Sequence, residues 1–263
     1  MTMTEELFRE DATLRECQAS VVACNDEGVL LDRTVFYPLG GGQAGDAGAL
    51  LLADGTRIPI VDARKSKLQP GAVVHVPAPG ADLSRLVPGT PVTAQIDWAR
   101  RHRHMRFHTT THLLCALVPH PVDGCSITAD YARLDFHMVE PLDKEALTAG
   151  IARLVSEAHP VRHRWISEAE LDANPGLVRS MSVQPPRGLG RVRVLEIEGV
   201  DLQPCGGTHV GNTGEIGRVV VTKIEKKSAM TRRVVLGFAV SSELPTASTG
   251  RGSRRPCWPR YGR

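Results

Sequence analysis

The chain has 263 residues, of which 41% are hydrophobic, and a formal net charge of +3. That length accommodates one large domain or two modest ones, and no apolar run approaches the ~18 residues that read as a membrane span. From Ser241 onward there are five arginines and one glutamate, so the rest of the chain sits at −1 and overall charge gives no argument for nucleic-acid binding.

The N-terminus, "MTMTEELFREDATLRE", is acidic and lacks the apolar stretch of a secretion signal. This predicts a cytoplasmic protein. Six cysteines (Cys17, Cys24, Cys115, Cys125, Cys205 and Cys257) are too sparse for a disulfide framework and read as free thiols or metal ligands.

Residues 1–96 read as β-rich. "QASVVACNDEGVLLDRTVFYP" holds two β-branched runs around a hairpin turn at residues 25–28, and "GALLLADGTRIPIVDAR" repeats the arrangement around Asp54-Gly55. "GAVVHVPAP" and "GTPVTAQIDW" add short strands. The pattern predicts a small barrel or a sandwich. At Asp97 the texture changes. "DWARRHRHMRFHTTTHLLCALV" has no Gly or Pro, Asp97 can cap it, and Trp98, Met105, His108, His112 and Cys115 recur at helical spacing, so a helix is expected over 98–118. A hairpin should follow in "GCSITADYARLDFHMV", then a helix capped by Asp143, a strand in "VRHRWIS", and a short helix in "SEAELDANP". "VRVLEIEGVDLQPCGGTHV" reads as one strand running into a loop, and "GEIGRVVVTKIEKKSAMTRRVVLGFAV" as a final hairpin. The expectation is a β-barrel domain over 1–96, an α+β domain over 97–241, and a disordered Arg/Pro-rich tail over 242–263.

Two short motifs carry the chemistry. His108 and His112 stand at i and i+4, which puts both imidazoles on one helix face. Cys205 and His209 flank Gly206-Gly207-Thr208. Three imidazoles and one thiolate suit a single Zn²⁺. Taken apart, each pair reads equally as a solvated surface pair or a buried cysteine. The residue after His108 is Thr109, so the His-Glu-x-x-His of helical zinc proteases is absent, and the His-x-Glu and Cys-x-x-Cys of zinc deaminases are absent too. "YPLGGGQAGDAG" lacks the Gly-Lys-Ser/Thr of a phosphate loop and by spacing alone is a glycine-rich turn.

"TVFYPLGGGQAGDAG", "RFHTTTHLL", "ARLDF" and "DLQPCGGTHVGNTGEIG", in that order, resemble the alanyl-tRNA editing proteins of the AlaX type, relatives of the editing domain of alanyl-tRNA synthetase. The likeness covers roughly residues 15 to 240. The metal motifs alone would be shared with the threonyl-tRNA synthetase editing domain; the Gly-Gly-Gly-Gln-x-x-Asp segment favours the alanyl branch. The resemblance implies a translation-factor-like barrel ahead of an editing core, with one Zn²⁺ held by His108, His112, Cys205 and His209. It implies hydrolysis of mischarged alanine tRNA, chiefly seryl and with it glycyl, acting in trans because no synthetase core is present. Thr111 and Thr128 match amino-acid pocket positions. Gln43, Gly41 and Gly42 are expected at the terminal adenosine of the tRNA, and Gly206 and Gly207 are counted with them as substrate-binding.

Four protein ligands describe a closed metal, whereas hydrolysis favours an open position. Either His209 is the loose ligand and serves as base, or the metal stays four-coordinate and Thr111 and Thr128 hold the water. Deacylation of another charged tRNA such as seryl-tRNA(Thr), or RNA binding around a structural zinc, are the competing readings. Candidate phosphate contacts are Arg100, Arg101, Arg103 and Arg106 on the helix, and Lys223, Lys226, Lys227, Arg232 and Arg233 on the last hairpin. "KKSAMTRRVV" departs from the more Gly- and Lys-rich hairpin of related proteins.

Overall fold

A computed structural model describes residues 3–181, 184–185, 187–188 and 190–239. The tail expected over 242–263, with Cys257, lies outside the described residues. The chain begins with β1 (Glu5–Glu6), then β2 (Glu16–Asn25), β3 (Gly28–Leu31), β4 (Arg33–Thr34), β5 (Gly48–Leu51), β6 (Arg57–Lys65), β7 (Val73–Pro77) and β8 (Pro91–Ile96). Of the two architectures the sequence leaves open, the barrel is observed: β2, β3, β7, β6, β5 and β8 close in that order. The period-2 pattern explains it. Val92, Ala94 and Ile96 of β8 point inward and join Val21, Leu50, Ile58 and Val73 in one apolar core.

The acidic N-terminus is more ordered than its composition predicts. β1 pairs in parallel with β4, and a single turn at Leu7–Arg9 buries Phe8 edge-on against Tyr37. Phe8 anchors the segment, with Leu7 packed against the barrel core.

After the barrel come α1 (Trp98–Leu117), β9 (Val122–Ile127), β10 (Ala132–His137), α2 (Lys144–Ser156), β11 (Val161–Ser167), α3 (Glu168–Ala173), β12 (Arg191–Ile197), β13 (Asp201–Pro204), β14 (Val219–Ser228) and β15 (Thr231–Phe238). The architecture is mixed α and β, mostly strands. β14, β15, β10 and β9 form one antiparallel sheet, and β11, β12 and β13 a second. Asp97 and Asp143 cap α1 and α2 by accepting from Arg100 N and Ala146 N. One expectation is corrected here. Residues 191–204 are a hairpin, not one strand: the chain reverses at Gly199, which takes a positive φ of 72°, and Val194 pairs with Pro204.

α1 is not a one-faced helix. Every residue from Phe107 to Cys115 is buried, because the helix is enclosed on all sides. One of those sides is the glycine-rich segment after β4. Ala44 N donates to Ile127 O (2.9 Å) and Ile127 N to Gly42 O (2.7 Å), so the segment lies along β9. Gly42 has φ 84°, and a Cβ there would meet the Cys125 carbonyl oxygen at 2.9 Å, so both conformation and space demand glycine.

The same segment is fastened to α1 by Asp46, which is 1% exposed, and Arg101, which is 0% exposed. Arg101 Nε donates to both Asp46 oxygens at 3.1 and 2.9 Å, and Nη2 also reaches Asp46. Nη1 donates to Ala12 O and Nη2 to Val35 O, and Tyr37 N donates to Asp46. Arg101 is therefore no phosphate ligand. Arg103 and Arg106 are likewise engaged, donating to Ala129 O and Ile216 O and lying over the Phe238 ring. On the last hairpin, Arg233 is bidentate to Asp135, Arg232 bonds backbone carbonyls, and Lys223 pairs with Glu225.

Asp46→Ala should strand a buried guanidinium and lower unfolding free energy by about 3–5 kcal/mol, read by urea denaturation. A loss below about 1 kcal/mol would show that the pair is not what joins the segment to α1.

Candidate metal centre

The i, i+4 spacing on α1 brings His108 and His112 together, with ring centroids 5.6 Å apart. The loop after β13 adds Cys205 and His209. One ligand atom from each of these four side chains lies within 4.8 Å of every other. Cys205 Sγ is 3.5 Å from His108 Nε2 and 3.2 Å from His209 Nε2. Tetrahedral zinc with bonds of about 2.0–2.3 Å has ligand–ligand edges of about 3.3–3.7 Å, so the donor set fits such an ion.

Each imidazole is also oriented from behind. His112 Nδ1 donates to the Asp201 carboxylate at 2.8 Å. His108 Nδ1 donates to Gln43 Oε1 at 2.8 Å, and that oxygen accepts from Thr208 N as well, while Gln43 Nε2 donates to Thr208 Oγ1. The Thr109 hydroxyl gives its proton to Met105 O, which leaves it an acceptor for His209 Nδ1 at 3.3 Å. All three Nδ1 atoms therefore carry a proton, and all three Nε2 atoms are turned to the cluster.

Charge follows the same geometry. Burial opposes the His112 imidazolium, but the bond to Asp201, with Cys205 adding, overcomes it and lifts His112 to about 10. Burial, reinforced by His108, pushes His209 down to about 3. Burial also opposes a thiolate at Cys205, yet His108 and His209 outweigh it and hold that thiol well below its ordinary value.

The cluster forms one wall of a cavity of about 890 Å³, near the top of the ~300–1,000 Å³ typical of ligand sites. His108, His112 and Cys205 face it, together with Thr111, Gly41, Gly42, Gly206 and Gly207; His209 does not. Six lining residues are basic (Arg9, Lys65, Arg133, Arg179, Arg191 and Arg193) against two carboxylates, Glu6 and Asp135.

Several expectations change. Gln43 is 0% exposed and spends its amide on His108 and Thr208, so it does not reach a nucleoside. Thr128 is away from the cavity, and its hydroxyl organises the β9–β10 turn, donating to Tyr131 O and accepting from Asp130 N and Tyr131 N. Gly206 and Gly207 have no positive φ. Gly207 is needed for space instead: a Cβ there would lie 2.2 Å from the His108 ring. Thr109, to which the sequence assigned no site role, orients His209. Asp201 went unassigned, although the period of two along 201, 203 and 205 puts it on the side of Cys205.

Comparison with known proteins gives the family. The family described as tRNA synthetases class II (A) matches residues 6–100, and the one described as Threonyl and Alanyl tRNA synthetase second additional domain matches residues 192–235. The alanyl-tRNA editing protein AlaX-M of Methanosarcina acetivorans is 35% identical over 242 residues, covering 88% of this chain and 98% of that protein. The chain belongs to the AlaX-M alanyl-tRNA editing proteins. Saccharolobus solfataricus AlaX-M is 32% identical with the same coverage. The chain also matches the alanine–tRNA ligase of Metallosphaera sedula at 36% identity, covering 85% of this chain but 25% of the ligase.

Two outcomes follow. Gln43→Ala should weaken Zn²⁺ affinity about 10- to 100-fold, measured by competition with a chelator; unchanged affinity would remove Gln43 from the site. At pH 8, metal-free His112 holds a proton because its value is raised to about 10, whereas Cys205 is already ionised. Loading Zn²⁺ should release about one proton, read by calorimetry in buffers of differing ionisation enthalpy; release of two would contradict an ionised Cys205.

Proposed function

We propose that the protein is a trans-acting editing hydrolase that removes serine, and with lower preference glycine, from mischarged alanine tRNA. The observation that carries the reading is the oriented His108, His112 and Cys205 face at the wall of a large cavity lined by excess positive charge. Membership of the AlaX-M family supplies the tRNA class.

The reaction adds water to the ester carbonyl and releases a free amino acid and the ribose hydroxyl. The ester is already activated, so the protein must position the acyl group and choose it. When bound, Zn²⁺ would polarise a carbonyl or lower the pKa of a water. His108, His112, Cys205 and His209 would hold it. Because His209 does not face the cavity and is fastened to Thr109, its part is to hold the metal rather than to meet substrate. The glycines at 41, 42, 206 and 207 give the cavity a wall without side chains, where a nucleoside can approach the backbone.

Selection is assigned to Thr111. Alanine is smaller than serine, so size cannot exclude it; the pocket must reward the hydroxyl. Thr111 lines the cavity and donates its own proton to His108 O at 2.7 Å. Its oxygen is left as an acceptor, the role a serine hydroxyl needs.

Deacylation of seryl-, glycyl- and alanyl-tRNA(Ala) by the zinc-loaded protein is the direct test; no turnover on any of them would reduce the protein to an RNA-binding module. Thr111→Val keeps the side-chain shape and should cut the preference for seryl over alanyl substrate about 10-fold or more. An unchanged ratio of kcat/KM values would clear Thr111 of the role.

A further inference from the structure

Beside the metal loop lies a cation that pairs with no carboxylate among the described residues. Arg193 is on β12, where Leu195 and Ile197 two and four residues on enter the main core, and it is 7% exposed. Nη1 donates to Cys205 O at 2.9 Å and Gly207 O at 3.2 Å. Nε is buried and bonds nothing among the described residues, and no bond is formed by Nη2 or to a carboxylate among them either. A guanidinium kept from water without an anion is costly.

The surroundings deepen the deficit. Arg9, from the N-terminal turn, faces the same cavity, and its Nη1 is 3.6 Å from where a Cβ at Gly206 would stand. Burial most of all disfavours the Arg193 cation; the Cys205 thiolate supports it, and Arg9 opposes it. The anions nearby are committed or distant: Glu6 pairs with Arg9, Glu10 is exposed and makes no ion pair with Arg193, and the Cys205 thiolate belongs to the metal cluster.

The unused edge of Arg193, Nε with Nη2, is the side-on fork that matches two oxygens of a phosphate. Its other edge is tied to the carbonyl of a metal ligand, so an anion held there sits next to the reacting ester. We propose that Arg193, assisted by Arg9, is the subsite for the phosphodiester on the 5′ side of the terminal aminoacylated nucleoside. This rests on the hydrolase reading above and adds the group by which the RNA end is registered. A phosphodiester one ribose away from the ester lets binding energy orient the acyl group without touching it.

The test compares two minimal substrates on zinc-loaded protein: 3′-seryl-adenosine, which lacks the phosphodiester, and seryl-cytidylyl-adenosine, which has it. Wild type should favour the dinucleotide about 10- to 100-fold in kcat/KM, mainly through KM. Arg193→Gln should bring that ratio near unity, Arg193→Lys should restore part of it, and zinc content should stay the same in both. Arg9→Gln, which removes no bond to the metal loop, should also lower the ratio, and it reports even where the first variant folds poorly. Equal losses on both substrates, or an unaltered ratio in the Arg193 and Arg9 variants, would overturn the subsite and leave the hydrolase standing. Absence of hydrolysis by wild type on both substrates and on seryl-tRNA(Ala) would overturn both.

Discussion

The buried pair of Asp46 and Arg101 sets the register between the glycine-rich segment and α1. Gln43 stands three residues before Asp46, and His108 stands seven residues after Arg101. Three extended residues span about 10 Å, and seven helical residues rise about 10.5 Å. The two distances match, so once Asp46 grips Arg101, Gln43 arrives at His108. A one-residue slip would break both contacts. The orientation of a candidate metal-ligand imidazole is thus secured by an ion pair two helical turns away.

The same economy of geometry appears around the other imidazoles. Asp201 opens the strand that ends just before Cys205, so one short segment both supplies a candidate ligand and orients another, His112. Thr109 lies inside the His108–His112 spacing and turns its oxygen to His209. Gly207 leaves room for the His108 ring. Because these groups are buried, each donor needs a fixed acceptor, and that requirement ties the barrel-side segment, the helix and the metal loop into one unit. The cavity then opens on the side where Cys205 and two imidazoles remain exposed to a ligand.

Much of the fold was legible locally. Period-2 runs broken by Asn-Asp-Glu-Gly and Asp-Gly mark barrel strands whichever way the sheet closes. Asp97 and Asp143 mark helix starts because an N-cap needs only its own next three residues. The reversal at Gly199 was missed because hydrophobic residues continue on both sides of it. The N-terminal turn was missed because a lone Phe8 among acidic residues has no periodicity to reveal it.

The sequence by itself determined two donor pairs, and the fold brought them together. His108 and His112 must share a helix face, and Cys205 and His209 must share a tight loop, since both follow from spacing along one element. Tertiary structure alone decided what each remaining residue does. Arg101 and Arg193 are both arginines near metal motifs, yet one meets Asp46 in the interior and the other meets no carboxylate among the described residues. Gln43 and Thr128, both candidates for the substrate, instead serve an imidazole and a turn. The reason is physical: a side chain's role depends on which partner fills its hydrogen bonds, and for Arg101 and Gln43 those partners come from segments 55 to 165 residues away.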